Sequence, residues 1–136
     1  MWCVPSGQGK GRIEHTTAII ALLLGVYTKV HLVYDCKQLM ERDQAEFIGY
    51  LGLIEEGQVE YHIGIDFVVN DGELVLVDEA DSLMYSNPEK FRDFVAKCAC
   101  ICFTATPDDQ NKDSMDDRVL KAMTFAKYHY ILNVAE

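Results

Sequence analysis

Basic residues, long apolar segments and paired cysteines are all scarce in this sequence. Its 136 residues include 12 lysines and arginines against 22 aspartates and glutamates, which gives a net charge of −10. The basic residues are scattered, so the chain should repel nucleic acid phosphates, and we expect no nucleic acid partner. The main apolar run, residues 18–26, is too short to cross a bilayer, so we expect no membrane span.

The five cysteines lack a pairing pattern. An odd number of cysteines, placed mostly within predicted strands, indicates a reducing compartment, either the cytoplasm or the interior of an organelle. Cys98, Cys100 and Cys102 alternate along one predicted strand and would share a face. Without other ligands at zinc spacing, we interpret them as small buried apolar side chains and expect neither disulfide nor metal there.

Hydrophobic residues make up 49% of the chain, which is enough for one core. We expect a single domain over residues 1–136, with a helix and a strand in its last part, residues 107–136. Apolar runs at residues 1–4, 74–77 and 99–103 are typical of strands buried on both faces. Such strands occur in parallel sheets covered by helices, so the sequence predicts an α/β fold with a mainly parallel sheet.

The run at residues 74–77 ends abruptly in Asp78, Glu79 and Asp81. Open α/β sheets bind ligands at the carboxyl ends of their strands. At that edge, Asp78 would hold a Mg²⁺ ion through water, and Glu79 could act as the catalytic base by polarising the water that attacks a γ-phosphate. The alternative is a core strand followed by an acidic helix N-terminus, which is a common arrangement.

A glycine-rich segment near the N-terminus opens an apolar helix, predicted over residues 10–26. Glycines let backbone N–H groups approach phosphate oxygens, the helix N-terminus adds positive potential, and Lys10 can reach the β- and γ-phosphates and act in catalysis. The ligand predicted for this loop is ATP or ADP. The residues predicted to bind it are Ser6, Gly7, Gln8, Gly9, Lys10, Gly11 and Arg12.

Two local features complete the prediction of structure. The first helix carries apolar residues around nearly its whole circumference, which predicts that it is buried, and its His15 is better explained as a partnered or surface histidine than as a metal ligand. Residues 59–69 and 74–77 are both extended and flank a turn at residues 70–72. This turn permits either a hairpin or, if the strands are parallel, a crossover.

Three short motifs in a fixed order carry a resemblance to a known family. The order Gly-Gln-Gly-Lys, Asp-Glu-Ala-Asp, Thr-Ala-Thr resembles motifs I, II and III of the first RecA-like motor domain of superfamily 2, DEAD-type, helicases. Within that group the chain is most similar to the SecA protein-translocase ATPase. The further matching segments are Leu-Met-Glu-Arg-Asp at 39–43, Phe47, Tyr-Leu-Gly-Leu at 50–53 and Gly-Ile-Asp-Phe at 64–67.

The resemblance, which covers residues 3–107, implies a RecA-like P-loop three-layer sandwich with ATP or ADP and Mg²⁺ as cofactors. It implies that Thr104, Ala105 and Thr106 couple the nucleotide state to movement of a partner domain. The nucleotide would lie between this domain and a second RecA-like domain or another protein subunit, which contributes an arginine. An active protein would be an ATP hydrolase of the helicase or translocase type that needs this second domain.

The chain also departs from the family pattern. Gly11 stands where the family has the serine or threonine whose hydroxyl ligates Mg²⁺, and nothing after Pro107 resembles a second RecA-like domain. We therefore expect an ATP- or ADP-binding motor domain whose hydrolysis is weak or absent in the isolated chain. The alternative is a degenerate, non-hydrolysing P-loop domain that serves as a scaffold or protein-interaction module.

Overall fold

The computed structural model describes residues 2–3, 10–103 and 130–131, with side chains from Gly11 to Phe103. Its elements are both strands and helices, as the apolar pattern predicts. In chain order they are β1 (Trp2–Cys3), α1 (Lys10–Leu23), β2 (Lys29–Tyr34), α2 (Lys37–Glu46), α3 (Ile48–Leu51), β3 (Val59–Ile63), β4 (Glu73–Val77), α4 (Ala80–Ser86), α5 (Pro88–Lys97), β5 (Ala99–Cys102) and β6 (Tyr130–Ile131).

Four strands form an all-parallel sheet in the order β3-β2-β4-β5. Strand β2 pairs with β3 on one side and with β4 on the other, and β4 also pairs with β5. Strands β1 and β6 form a separate parallel pair, with β1 beside β5. The prediction of an α/β fold with a mainly parallel sheet is confirmed.

Strand β4 lies in the middle of the core and is buried on both faces, as its unbroken apolar run predicts. Leu74 and Leu76 pack on one face with residues of α1. Val75 and Val77 pack on the other face with residues of α4 and α5. The sheet therefore has helices on both sides, which is why β4 is apolar without a break from Leu74 to Val77.

The turn at residues 70–72 is not part of a hairpin. Strands β3 and β4 both run parallel to β2 and lie on opposite sides of it, so the connection through residues 64–72 crosses β2. Ile65, Phe67 and Val69 pack from this connection against the core on the α4 and α5 side. Their alternation produces the extended pattern in the sequence, although the strand itself ends at Ile63.

Helix α1 is shorter and less buried than predicted. It ends at Leu23, and Gly25 follows with a φ of +69°, a conformation that favours glycine after a helix. Ala18 and Leu22 are buried against the sheet, but Ile20 and Leu23 are 51% and 62% exposed. The prediction of burial all round was wrong because α1 packs on the sheet by one side, and no described element covers its other side.

The cysteine segment also differs from its prediction, because Cys98 ends α5 instead of starting a strand. Cys100 and Cys102 do share a face of β5, with their Sγ atoms 3.6 Å apart. The cysteines with described side chains, Cys36, Cys98, Cys100 and Cys102, are free thiols. The predicted strand near the C-terminus corresponds to β6, whereas the helix predicted before it lies outside the described residues.

Candidate functional site

The carboxyl ends of β2, β4 and β5 meet at one edge of the sheet, and the acidic turn after β4 is fixed there. The Asp78 N–H donates to the Val33 carbonyl at 2.8 Å, which ties the turn to β2. On the other side, the Ala80 N–H donates to the Phe103 carbonyl at 2.9 Å. The residue between them, Glu79, is thus held by hydrogen bonds from both of its neighbours.

Glu79 has a left-handed backbone conformation, with φ 49° and ψ 50°. Among the described residues it is the only non-glycine residue with a positive φ. This conformation costs a residue with a Cβ atom about 1–2 kcal/mol, and such strain concentrates at functional sites. Glu79 also precedes α4 directly, so the sequence Asp-Glu-Ala-Asp forms a sharp change from strand to helix.

An open cleft of about 650 Å³ lies beside this turn. Its volume is in the range of ordinary ligand sites. Its acidic lining consists of Asp35, from the end of β2, with Glu79 and Asp81 from the turn after β4. Leu39 of α2 and Tyr85 of α4 form its apolar walls. Three carboxylates in one cleft favour a cation, or an anion whose charge a cation has already neutralised.

Asp78 lies deeper than Glu79, with only 5% of its surface exposed. The negative charge of Asp78 favours the protonated forms of His15 in α1 and Tyr34 in β2. It therefore acts to raise the pKa of each of these groups. Helix α1 packs through Ala18 and Leu22 on Leu74 and Leu76 of β4. The strand that Asp78 follows therefore lies against the helix that begins at Lys10.

The predicted nucleotide-binding residues are placed only in part. Lys10 is the first residue of α1, and Gly11 and Arg12 belong to its first turn, where the Arg12 side chain is exposed. The remaining predicted residues lie outside the described residues: Ser6, Gly7, Gln8 and Gly9 in the loop, and Thr104, Ala105 and Thr106 after β5.

Gly11 has a packing role that the sequence did not reveal. A Cβ atom at this position would lie 2.9 Å from Asp43 Oδ2 and 3.2 Å from Phe47 Cε2. Asp43 cannot easily yield, since it is buried, accepts a hydrogen bond from the Tyr34 hydroxyl at 2.9 Å and pairs with Arg42. Glycine at position 11 therefore lets α1 approach α2 closely.

His15 is partnered at both ring nitrogens, in agreement with the first of the two interpretations of this residue. Its Nδ1 donates to the Gly11 carbonyl at 2.8 Å, so its Nε2 accepts from the Tyr61 hydroxyl, also at 2.8 Å. The ring stacks on Phe47, with centroids 4.4 Å apart. Burial lowers the pKa of His15, and burial together with the charges of Asp43 and Glu14 raises the pKa of Tyr61 to about 12.

A group of buried carboxylates surrounds this histidine and was missed by sequence reasoning. Glu14, Asp43 and Asp78 are each no more than 5% exposed, and all three act on the Tyr34 hydroxyl, whose pKa is raised by burial and then by these charges. The available signal was Glu14 between Ile13 and His15, one turn before the apolar half of the helix. Glu14 belongs to α1, and Asp43 lies against Gly11 in the first turn of this helix.

Comparison with known protein families and with characterised proteins gives no match for this chain. In the part of the chain that the structure describes, every helix is too short or too polar to cross a membrane.

Proposed function

We propose that the chain is a nucleotide-binding domain for ATP or ADP, with a RecA-like fold and a role in a SecA-like or helicase-like ATPase. One observation carries the proposal: Asp78 and Glu79 directly follow the central parallel strand β4, and α1, which begins at the lysine of Gly-Gln-Gly-Lys, packs on that strand. Parallel α/β sheets place phosphate ligands between these two features. The open, acidic cleft beside Glu79 supports a cation-bound ligand.

Each residue has a distinct part in this proposal. Lys10 and the backbone N–H groups of residues 6–9 would bind the phosphates. Asp78 fits a Mg²⁺ ion bound through water, since its carboxylate is nearly buried at the carboxyl edge of the sheet. When bound, that ion would neutralise charge on the phosphates. Glu79 would orient and polarise a water molecule, and its strained backbone supports a functional role.

Hydrolysis by the chain alone should be slow. The hydroxyl that usually ligates Mg²⁺ is missing at Gly11, and the close contact with Asp43 leaves no room for a side chain there. The resemblance further implies that an arginine from a second RecA-like domain or another subunit stabilises the transferred phosphoryl group, an effect worth about 10³ to 10⁵ in rate. We propose that Thr104, Ala105 and Thr106 transmit the nucleotide state to that partner.

The partner is proposed to be a protein. The net charge of −10 disfavours nucleic acid, and the scattered basic residues offer no compensating patch. Free thiols at several described cysteines agree with a reducing compartment, cytoplasmic or inside an organelle.

The alternative function is a non-hydrolysing scaffold. The close packing at Gly11 favours the scaffold, because no side chain with a metal-binding hydroxyl fits at this position. The glycine instead permits the close contact between α1 and α2. The exposed apolar residues Leu23, Leu24 and Val26, each more than 60% exposed at the end of α1, would suit a protein interface. The two functions differ in whether nucleotide binds at Lys10.

A thermal-shift titration with Mg-ATP and with ADP tests the nucleotide proposal. We expect both ligands to stabilise the wild-type chain, and Lys10→Ala to remove most of this effect, because the lysine contacts the phosphates. Lys37→Ala is the matched control, since this lysine lies on the exposed surface of α2, 72% exposed. Equal shifts in wild type and Lys10→Ala, or no shift in either, would rule out the proposed site and favour the scaffold.

Phosphate release by the purified chain tests the second part of the proposal. We expect far less than one turnover per minute, with no stimulation by RNA, DNA or unfolded peptide. Glu79→Gln identifies any contaminating ATPase, because contaminating activity would persist in this variant. Several turnovers per minute that disappear in Glu79→Gln would show that the domain is a complete enzyme.

A further inference from the structure

A cluster of histidine and glutamate side chains lies on the opposite side of the sheet from α1. His31 of β2 and Glu60 and His62 of β3 extend toward one another between neighbouring strands, and Phe67 covers them. Phe67 belongs to the crossing connection that packs on the α4 and α5 side. The cluster is thus separate from the candidate nucleotide site, where α1 meets the carboxyl edge.

Three potential metal-ligand atoms face one another in this cluster. His31 Nδ1 lies 2.9 Å from His62 Nε2 and 3.7 Å from Glu60 Oε2, and His62 Nε2 lies 3.5 Å from the same oxygen. At zinc bond lengths of about 2.0–2.2 Å, tetrahedral ligands stand roughly 3.3–3.6 Å apart. Only the two histidine nitrogens would need to separate by a few tenths of an ångström to accept the ion.

The outer contacts of these residues also suit a metal site. His31 Nε2 donates to Glu73 Oε1 at 2.9 Å, which leaves its Nδ1 with a lone pair directed at the cluster. Histidines that bind zinc commonly donate their second nitrogen to a carboxylate in this way. Lys29 binds the other oxygen of Glu60, Oε1, so Oε2 remains on the side of the histidines.

Burial would protect the ion from water on most sides. His31 is 3% exposed, and the ring of His62 stacks on Phe67 with centroids 3.7 Å apart. Glu60 is 44% exposed, so the cluster opens to solvent on its side. Three protein ligands with access to solvent leave the fourth position of a tetrahedral ion to water.

The other cluster with ligand atoms this close, Glu14, His15 and Asp43, is less suited to a metal among the described residues. Both ring nitrogens of His15 are occupied, by the Gly11 carbonyl and the Tyr61 hydroxyl. In the cluster on β2 and β3, by contrast, two histidine nitrogens contact each other. A bound ion would lie between them and replace this contact.

We propose that His31, Glu60 and His62 bind a Zn²⁺ ion, oriented by Glu73 and Lys29, and that this ion fastens β3 to the sheet. Strand β3 is at the end of the four-stranded order and, among the described strands, pairs only with β2. Two ligands from β3 and one from β2 therefore join the strand to its neighbour. The ion stabilises this pairing in the folded state only.

Co²⁺ titration of the full chain, freed of metal by a chelator, tests the site. We expect one Co²⁺ per chain, an intense visible spectrum of tetrahedral coordination by nitrogen and oxygen, and displacement by Zn²⁺ but not by Mg²⁺. Absence of binding would overturn the proposal. So would a thiolate-to-cobalt charge-transfer band, which would assign the ion to cysteines.

Substitutions of the proposed ligands test whether the ion binds at this cluster. Glu60→Gln and His62→Gln change partly exposed residues and should each reduce Zn²⁺ affinity by more than the roughly 10- to 100-fold that loss of an orienting partner costs. Glu56→Gln, in the exposed loop before β3, is the matched control and should bind as wild type does. Wild-type affinity in both ligand variants, or an equal loss in the control, would overturn the site.

Two further measurements test the arrangement around the ion. Glu73→Gln should keep the tetrahedral cobalt spectrum and lower affinity by about 10- to 100-fold, since it touches His31 from outside the metal site. Zn²⁺ should raise the thermal unfolding midpoint of wild type and Glu56→Gln but not of His62→Gln. Unchanged affinity in Glu73→Gln, or an equal thermal shift in all three proteins, would contradict the proposed arrangement.

Discussion

Gly11 illustrates how one residue can have two explanations. From the sequence, it is the position at which the proposed phosphate loop lacks a hydroxyl. In the structure, it is the point where α1 approaches Asp43 and Phe47 too closely for a Cβ atom. The two explanations are compatible, because close packing at this position prevents the hydroxyl-bearing residue that efficient hydrolysis would require.

Gly11→Ala should destabilise the protein by about 1–3 kcal/mol, because overpacking displaces a buried, hydrogen-bonded carboxylate. Gly49→Ala is the matched control. A Cβ atom at Gly49 of α3 meets nothing within 4 Å, so alanine should be neutral or stabilise by up to about 1 kcal/mol. Urea unfolding measures both, and equal stability of the two variants would contradict the close contact at Gly11.

Glu79 is the second residue for which the structure predicts an effect on stability, here from its backbone conformation. Glu79→Gly and Glu79→Ala both remove the side chain, but only alanine keeps the Cβ atom in the left-handed conformation. The glycine variant should therefore be more stable than the alanine variant by about 1 kcal/mol. Chemical denaturation of the pair measures this difference. An alanine variant at least as stable as the glycine variant would show that this turn is not strained.

The helices show which local sequence patterns predict helix boundaries correctly. Asn87 followed by Pro88 predicts the start of α5, and the helix does run from Pro88 to Lys97, with the Asn87 side chain accepting from the Lys90 N–H at 3.1 Å. A cap and a proline act within one turn, so the sequence is sufficient to specify them. The boundary of α1 was less accurate, since its apolar run continues past the helix.

Asn87→Ala should cost about 1 kcal/mol of stability through loss of this cap. Asn87→Asp keeps an oxygen at the same position and should cost much less, because a carboxylate also interacts favourably with the helix N-terminus. Thermal or urea unfolding of the two variants provides the comparison. If Asn87→Asp were as destabilising as Asn87→Ala, the hydrogen bond to Lys90 would not be the source of the effect.

At the scale of the whole molecule, the acidic charge is distributed between surface and interior. Most of the acids that the structure describes are exposed, but Glu14, Asp43 and Asp78 are buried near His15. Burial lowers the pKa of His15, opposed by the Gly11 carbonyl and by the charges of Asp43, Glu46 and Asp78. The balance favours the neutral imidazole in the folded protein.

This balance predicts that stability falls as the pH drops below the ordinary histidine pKa of 6.5. The folded state holds His15 at a lower pKa than the unfolded state does, so acid protonates the unfolded chain first and favours unfolding. In the metal-free protein, His62, whose pKa burial also lowers, acts in the same direction. The carboxylates of Glu60 and Glu73, with lowered pKa values, add losses only below about 4.5.

Urea midpoints between pH 7.5 and pH 5 test this prediction. The midpoint of the wild type should decrease over this interval, and His15→Gln should show a shallower decrease because one titrating group is gone. Lys37→Gln, on the exposed surface of α2, should follow the wild type. An undiminished slope in His15→Gln would assign the pH dependence to other groups.

The sequence alone determined the parallel α/β class, the strand that carries Asp78 and Glu79, and the start of α5. Each depends on a continuous apolar run or on a cap, which are interactions between residues close in the chain. Tertiary structure decided the rest. The crossing of residues 64–72 over β2, the packing of Asp43 on Gly11, and the meeting of His31 with Glu60 and His62 all join residues far apart in sequence, where no local periodicity records the neighbour.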